Sequence, residues 1–501
     1  MLYDINWFES RVQLTPKDIA IIDSETKESW TYEELYERVI KVSNFFHTKG
    51  VRKGDRVAIL APNHISYFDF FFASMKIGAI FVPLNWRVAK AELHYCINDC
   101  DPKVIGVNPD FKANLDAAET NGTYITIDTS NYIDDLYYEQ ATFDGNLHEE
   151  DPLAMIYTGG TTGCPKGVVL SHKSILWNAL NTIVSWGLSK EDTTLTCLPM
   201  FHTGGLNVLS LPLLLSGGKV VLLANFDASQ VIEELLQYKC TIAMLVPTMY
   251  HMMIETKTFK TATFPDMKVF VSGGAPCPYK VYEAFSKKGI AFKEGYGLTE
   301  AGPNNFYIDP KDAMHKLGSV GKPMLFNDIK IMKDEEVITT VDEVGELYIR
   351  GSHAFTYYWN RPEETKTTLI DGWIRTGDIA RQDADGYFYI VGRKKDMIIT
   401  GGENVYPLEI EHWLEAHPAI DEAAVIGLPD EKWGEAVVAC IVTEKVLTVE
   451  ELEDYCKQQL TRYKVPKQFF FLTELPKTDV GKVNKKTLKL KYSNHTDSTI
   501  S

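Results

Sequence analysis

Along the first half of the chain, short apolar runs alternate with segments whose apolar residues recur at helical spacing. DRVAIL at 55–60 leads into a predicted helix from about Ser66 to Ile77, which is followed by AIFVPL at 79–84. Such alternation predicts parallel sheets covered by helices. Further strands are predicted at KVVLLA (219–224), after a helix and a Gly-Gly turn, and at TIAMLVP (241–247) and KVFVSGG (268–274). The last two end where a substrate would lie beyond a strand's carboxyl end. Thr31 with Glu34 predicts a capping box that opens a helix after Trp30, and Asp227 with Gln230 predicts another after Ala224.

From Gly345 the pattern changes. GELYIRG, GWIRTGD and GYFYIVG alternate with turns rich in Gly and Asp, which predicts a small antiparallel or barrel-like unit ending at GRKKD. After Asp396 a compact segment carries its own pattern: helical PLEIEHWLEAH (407–417), strand-like EAAVIGLP (422–429) and AVVACIV (436–442), and helical VEELEDYCKQQL (449–460). The expected organisation is α/β. A large N-terminal domain (1–392) has two helix-covered, mostly parallel sheets and a β-barrel-like subdomain; a hinge (393–396), a smaller mobile α+β domain (397–490) and a frayed polar tail (491–501) follow.

At 501 residues the chain exceeds what one hydrophobic core usually serves. Its 45% hydrophobic and 24% charged content is that of an ordinary globular protein, and a net charge of -17 argues against a nucleic-acid-binding surface. The stretches 65–84 and 205–224 are interrupted by Asp69 and Lys76, and by Pro212, Gly217, Gly218 and Lys219, so both read as buried helix and strand rather than membrane spans. The eight cysteines form no CxxC pair, and the N-terminus has no apolar core of signal-peptide length, so reduced thiols and a cytoplasmic location are expected. Peripheral membrane contact and homodimerisation are left open.

Against this acidic background, YTGGTTGCPKG at Tyr157–Gly167 gathers glycines, hydroxyls and one lysine into a loop short enough to wrap a polyphosphate. Backbone amides at Gly159, Gly160 and Gly163, hydroxyls of Thr158, Thr161 and Thr162, and the charge of Lys166 all suit phosphate oxygens. It differs from the ordinary nucleotide loop, in which Ser or Thr follows the lysine, because Gly167 follows Lys166. Four segments come after it in order: EGYGLTE (294–300), GWIRTGDIA (372–380), YIVGRKKDMIITGGENVYPLEIE (389–411) and LPKTDVGKVNKK (475–486). With these five motifs the chain resembles the adenylate-forming superfamily of acyl-CoA synthetases, adenylation domains and luciferases, from about Trp30 to Lys486.

The resemblance implies an enzyme that uses ATP, Mg2+ and CoA to activate a carboxylic acid as its adenylate and then to make a thioester. The loop at 158–167 would hold the β- and γ-phosphates with Lys166 as a clamp; Thr299 would touch the α-phosphate and Glu300 would hold Mg2+. Tyr296 and Gly297 would lie on one side of adenine, with Gly273, Gly274 and Ala275 opposite. Asp378 would accept both ribose hydroxyls, Arg393 would help fix ribose or phosphate, and Lys482 would bridge the substrate carboxylate and the α-phosphate. Because Lys482 belongs to the small domain, the two domains must close for the first half-reaction. The resemblance puts the hinge at Lys395. In a second pose the glycine-bearing strand ITGGENVYP, with Gly401 and Gly402, would line a pantetheine tunnel, with Trp433 and Lys464 or Lys467 near CoA.

Catalysis is thus expected of Lys482, Thr299 and His202, the last as a gate between nucleotide and acid sites. The acid pocket is expected to include His202, Val246, Ser272, Gly297, Leu298 and Asn304. Apart from Glu300, the segments expected to line it hold no Asp, Glu, Lys or Arg, as an amino acid or a dicarboxylate would need for its second charge. Methionines and small residues suit a flexible apolar tunnel. The expected substrate is a medium- to long-chain fatty acid. The alternatives are an aryl or succinylbenzoate acid, contacted by Asn304 and Asn305, a luciferase-like oxygenase, and a non-catalytic binding module; the last would be expected to lack Lys482 or Glu300. FDAS at 226–229 is similar to an amine-binding segment, but a helix cap explains it better.

Overall fold

Four-residue strands of wholly buried side chains, such as Ile80–Pro83 and Val104–Val107, need helices on both faces, and the fold supplies them. The computed structural model describes residues 6–115, 120–143, 146–159, 164–338, 340–478 and 482–493. Two seven-stranded sheets form the body. In one, the strands Thr123–Thr126, Val104–Val107, Arg56–Leu60, Ile80–Pro83 and Pro152–Thr158 are parallel neighbours, extended by two antiparallel strands, Lys166–Ser171 and Tyr357–Tyr358. In the other, Phe292–Glu294, Val269–Ser272, Ile242–Leu245, Thr193–Thr196, Lys219–Leu222 and Ile19–Asp23 run parallel, with Ser29–Thr31 antiparallel at the edge.

The helix Ser66–Ile77 is buried on nearly every side and ends at Gly78, whose φ of +73° suits a residue without Cβ. Its one acidic residue, Asp69, is held by both Nε and Nη2 of Arg38 at 2.9 and 2.7 Å, which makes its burial tolerable. Among the described residues no helix is long and apolar enough to cross a membrane. Thr31 and Glu34 make the predicted capping box, while at Asp227 only half of the predicted box forms, the carboxylate accepting from the Ser229 and Gln230 amides.

The antiparallel unit differs from a barrel. Its strands run in the order Phe306–Tyr307, Ser319–Pro323, Phe388–Arg393, Trp373–Gln382, Gly345–Arg350, Asp328–Lys333, Glu336–Val337, an open path whose two ends do not pair. It also begins well before Gly345, because strands from 306 onward join the glycine-rich ones. The last sheet pairs Glu422–Asp430 with Gly434–Val442 over nine positions and has its own apolar core. Here ITGGENVYP is not one strand. Ile398–Thr400 and Glu403–Val405 form a hairpin, because Gly401 and Gly402 both take positive φ (+59° and +85°), which the tight turn requires.

Candidate active site

The phosphate-loop motif spans a hairpin. Strand Pro152–Thr158 pairs antiparallel with Lys166–Ser171 so that Thr158 sits opposite Lys166, with Gly159 opening the loop between them. Gly160, Thr161, Thr162 and Gly163 lie outside the described residues. Lys166 Nζ is 4.0 Å from Glu364 and 5.2 Å from the centre of the Tyr358 ring. The Tyr358 hydroxyl donates to Glu300 at 2.7 Å, so this tyrosine links the lysine of one motif to the carboxylate of another. Sequence reasoning missed it. Its only signal was the aromatic run FTYYWN, which nothing tied to the loop until Tyr358 paired with Val168 beside Lys166.

Beyond strands Val269–Ser272 and Phe292–Glu294 lie the two segments expected around adenine. Gly274 has φ +82°, while a Cβ on Gly273 would come within 2.5 Å of the Met244 methyl. Gly297 is required more strictly, since a Cβ there would meet the Pro303 carbonyl oxygen at 2.0 Å. Thr299 is buried at the start of a turn, Thr299–Ala301, and the Phe355 amide donates to the Glu300 carbonyl at 2.7 Å. Tyr296 donates its hydroxyl to Asp378 Oδ2 at 2.5 Å, while Arg393 Nε lies 2.7 Å from Oδ1. Burial raises the Asp378 carboxyl above its ordinary value; Arg393 first, then the Tyr296 hydroxyl, Lys482 and Lys395, oppose that rise. Its two oxygens therefore already serve two separate donors, the arrangement a vicinal diol would use.

The Thr478 amide donates to the Lys482 carbonyl at 2.7 Å and Lys477 bridges to Val483, while residues 479–481 lie outside the described residues. Lys482 keeps solvent-facing surface, yet its ammonium is desolvated. Burial, then Arg393 and Lys395, lower its pKa from that of an ordinary lysine, while Asp378 and Glu300 pull it back up. His202 feels the same charge. Burial first, then Lys482 and Arg87, push it down to about 4, so its ring is neutral at pH 7. Its Nε2 is buried without a partner among the described residues, and the ring lies 4.8 Å from Phe201. A cation from the small domain, two carboxylates and a neutral imidazole thus share one cleft. Lys395 lies in an exposed turn, Lys394–Asp396, between strands Phe388–Arg393 and Ile398–Thr400.

Val246 and Leu298 are half-buried and Ser272 is buried at the end of its strand. Asn304 does not fit an acid pocket. Its amide donates to Thr182 Oγ1 and to the Val208 carbonyl at 2.9 and 3.0 Å, which turns the side chain into the core; Asn305 is likewise engaged, donating to the Gly302 carbonyl. Gly401 and Trp433 do meet, the amide of one donating to the carbonyl of the other at 2.8 Å. Lys464 instead binds Glu409 at 2.7 Å, and it is Lys432 and Lys467 that lie over the Trp433 ring.

A buried carboxylate, nearby cations and close-packed glycines fit a nucleotide. A family model described as AMP-binding enzyme matches residues 8–359, and one described as AMP-binding enzyme C-terminal domain matches residues 409–482. The chain is 36% identical to feruloyl-CoA synthase of an Amycolatopsis species, over 97% of this chain and 98% of that one. It is 34% identical to a long-chain-fatty-acid–CoA ligase of Mycobacterium tuberculosis, over 98% and 99%. Among solved structures it resembles o-succinylbenzoate CoA synthetase of Bacillus subtilis in complex with the acyl-adenylate intermediate OSB-AMP (TM-score 0.89, 31% identity, 98% and 99% covered). The same enzyme in complex with ATP and magnesium ion superposes with a TM-score of 0.88 (31% identity, 97% and 99% covered).

Proposed function

The chain belongs to the AMP-binding enzyme family, and we propose that it joins a medium- to long-chain fatty acid to coenzyme A in two half-reactions. Its coarser activity is that of an AMP-forming acid–CoA ligase. The observation that carries the mechanism is the buried Asp378 carboxylate, held between the Tyr296 hydroxyl and Arg393 and within the influence of the Lys482 charge.

Two anions must meet in the first step, so positive charge has to be positioned before they do. Thr158, Gly159 and Lys166 at the loop's neck hold the outer phosphates, Thr299 meets the α-phosphate, and the Tyr296 ring covers adenine. Asp378 exchanges the Tyr296 hydroxyl for ribose hydroxyls while Arg393 stays on its other oxygen. Glu300, oriented by Tyr358, would hold Mg2+, which would supply charge neutralisation at the phosphates. Lys482 holds the acid's carboxylate against the α-phosphate; a carboxylate oxygen bonds to phosphorus, and pyrophosphate leaves. Neutral His202 closes the acid side without adding charge. Turning about Lys395 then withdraws Lys482 and brings the Gly401–Gly402 hairpin to the cleft, where the CoA thiolate attacks the acyl carbon and AMP leaves. Trp433, with Lys467 and Lys432 over its ring, faces the incoming CoA.

The fatty-acid reading rests on the walls. Beyond Glu300, which Tyr358 already engages, the pocket segments place no ionised side chain there, and each methylene buried contributes about 0.8 kcal/mol. A second reading, an aryl acid, is favoured by the Phe201–His202 ring contact and by Trp86, whose ring lies 6.2 Å from that of Phe201. Pyrophosphate release measured over a panel of acids with ATP, Mg2+ and CoA tests both. Dodecanoate should outrun benzoate-type acids; the reverse order sinks the fatty-acid reading and leaves the ligase.

A further inference from the structure

A helix packed into a protein should place apolar side chains at i, i+3, i+4 and i+7. The helix His172–Trp186 breaks that rule on one face, where Asn178, Asn181, Thr182 and Ser185 hold those positions. The first three are almost wholly buried, at 4%, 1% and 0% exposure. A buried amide without a partner costs about 1–3 kcal/mol, so an apolar stripe would be the simpler way to stabilise this helix. What the polar stripe adds is direction.

Its hydrogen bonds run to two places. Asn178 Nδ2 donates to the Asn207 carbonyl at 2.8 Å, and Thr182 Oγ1 accepts from Asn304, which also donates to the Val208 carbonyl. These hold the end of the segment that begins at His202. In the other direction, Asn181 Nδ2 donates to Asn327 Oδ1 at 2.6 Å, and Asn327 donates to the Asn305 carbonyl at 2.9 Å. Asn305 in turn donates to Gly302, two residues past Glu300, and its Oδ1 lies 3.0 Å from a ring nitrogen of His353. Asn178 Oδ1, Asn207 Oδ1 and His202 Nε2 are buried without partners among the described residues, and Asn178 Oδ1 lies beside Gly302, where a Cβ would come within 2.9 Å of it.

We propose that Asn178, Asn181 and Thr182 are positioning residues that hold the Glu300 loop and the His202 segment in one frame, so that binding of the acid and of Mg-ATP reinforce each other. This rests on the ligase reading above. An acid that fills the pocket orders the His202 segment, and the shared helix face passes that ordering to the loop that carries Glu300.

Calorimetric titration of the full chain with dodecanoate and with the Mg2+ complex of a non-hydrolysable ATP analogue, each alone and then with the other present, tests it. In the native chain each ligand should tighten the other roughly 5-fold or more, within the usual range for coupled sites. In Asn181→Leu that factor should fall to about 1 while each ligand alone binds within about twofold of native. Thr182→Val, which trades one hydroxyl for a methyl, should lower it as well and guards against a leucine variant that fails to fold. Variants that lose melting temperature yet keep native coupling overturn the proposal, as does a native chain that binds both ligands independently. A native chain that binds neither overturns the ligase reading, and this inference with it.

Discussion

Asp378 and Lys482 face the same cleft but are mounted in opposite ways. Asp378 lies within the ten-residue strand Trp373–Gln382, bonded to neighbours on both sides, with its carboxylate oxygens held by Tyr296 and Arg393. Lys482 is tied to its surroundings by the backbone bond from Thr478 and the neighbouring Lys477–Val483 bridge, and a three-residue turn, Lys394–Asp396, precedes its part of the chain. One is a fixed acceptor and the other a charge on an arm. The two half-reactions proposed above would use that contrast, the nucleotide staying while the cation leaves to admit a thiol.

The largest way to break the contrast is to remove the arm's charge. Lys482→Ala should lower adenylation, read as pyrophosphate–ATP exchange, by about 10³-fold, an effect of the size seen when one preorganised transition-state donor is lost. Thioester formation from supplied acyl-adenylate should persist; equal loss of both steps would refute the two-pose scheme. The native enzyme's pH profile sharpens the point. Because burial and then Arg393 lower the Lys482 pKa, its charge is lost at a pH below that of an ordinary lysine, so adenylation should fall with rising pH earlier than thioester formation does.

Disturbing the fixed side should be milder. Asp378→Asn removes a charged acceptor worth about 1.5–3 kcal/mol, which predicts a KM for ATP raised roughly 10- to 150-fold with little change in KM for the acid. Parallel rises in both constants would deny it a nucleotide role. Lys395→Pro, by fixing one backbone dihedral in the turn, should slow thioester formation more than adenylation in single-turnover assays. The smallest effect is expected from Tyr358→Phe, which leaves Glu300 in place but unoriented: about 0.5–1.5 kcal/mol, or roughly 2- to 10-fold, in the Mg2+ concentration needed for half-maximal rate. No Mg2+ dependence of the change would detach Tyr358 from the metal.

Particular elements show what was legible. The helix Ser66–Ile77 and the strands Arg56–Leu60, Ile80–Pro83, Lys219–Leu222, Ile242–Leu245 and Val269–Ser272 could be read from local pattern, because their buried positions are filled by apolar runs, whereas the buried strand Thr193–Thr196 carries three threonines and gives no such signal. The two-strand form of 398–405 was less legible, since adjacent glycines suit a strand's close approach as well as a turn until their φ values are known. Tyr358 was invisible because its two partners, Lys166 and Glu300, are distant in sequence and only the pairing with Val168 brings it to them. Asn304 was misplaced for a related reason: an amide next to a pocket motif can face either way, and Thr182 and Val208, from other elements, claim it.

By itself, the sequence determined the succession of elements, the acidic surface, the five motifs and the residue types that meet a nucleotide, because these depend on local spacing and on chemistry carried by single side chains. Only the tertiary structure decided that Lys482 shares a cleft with Asp378, Glu300 and His202, that the antiparallel unit stays open, and that a buried polar helix face ties two loops together. Those are properties of distances between segments far apart in the chain, and they are set by packing and by which donor reaches which acceptor, neither of which a linear pattern records.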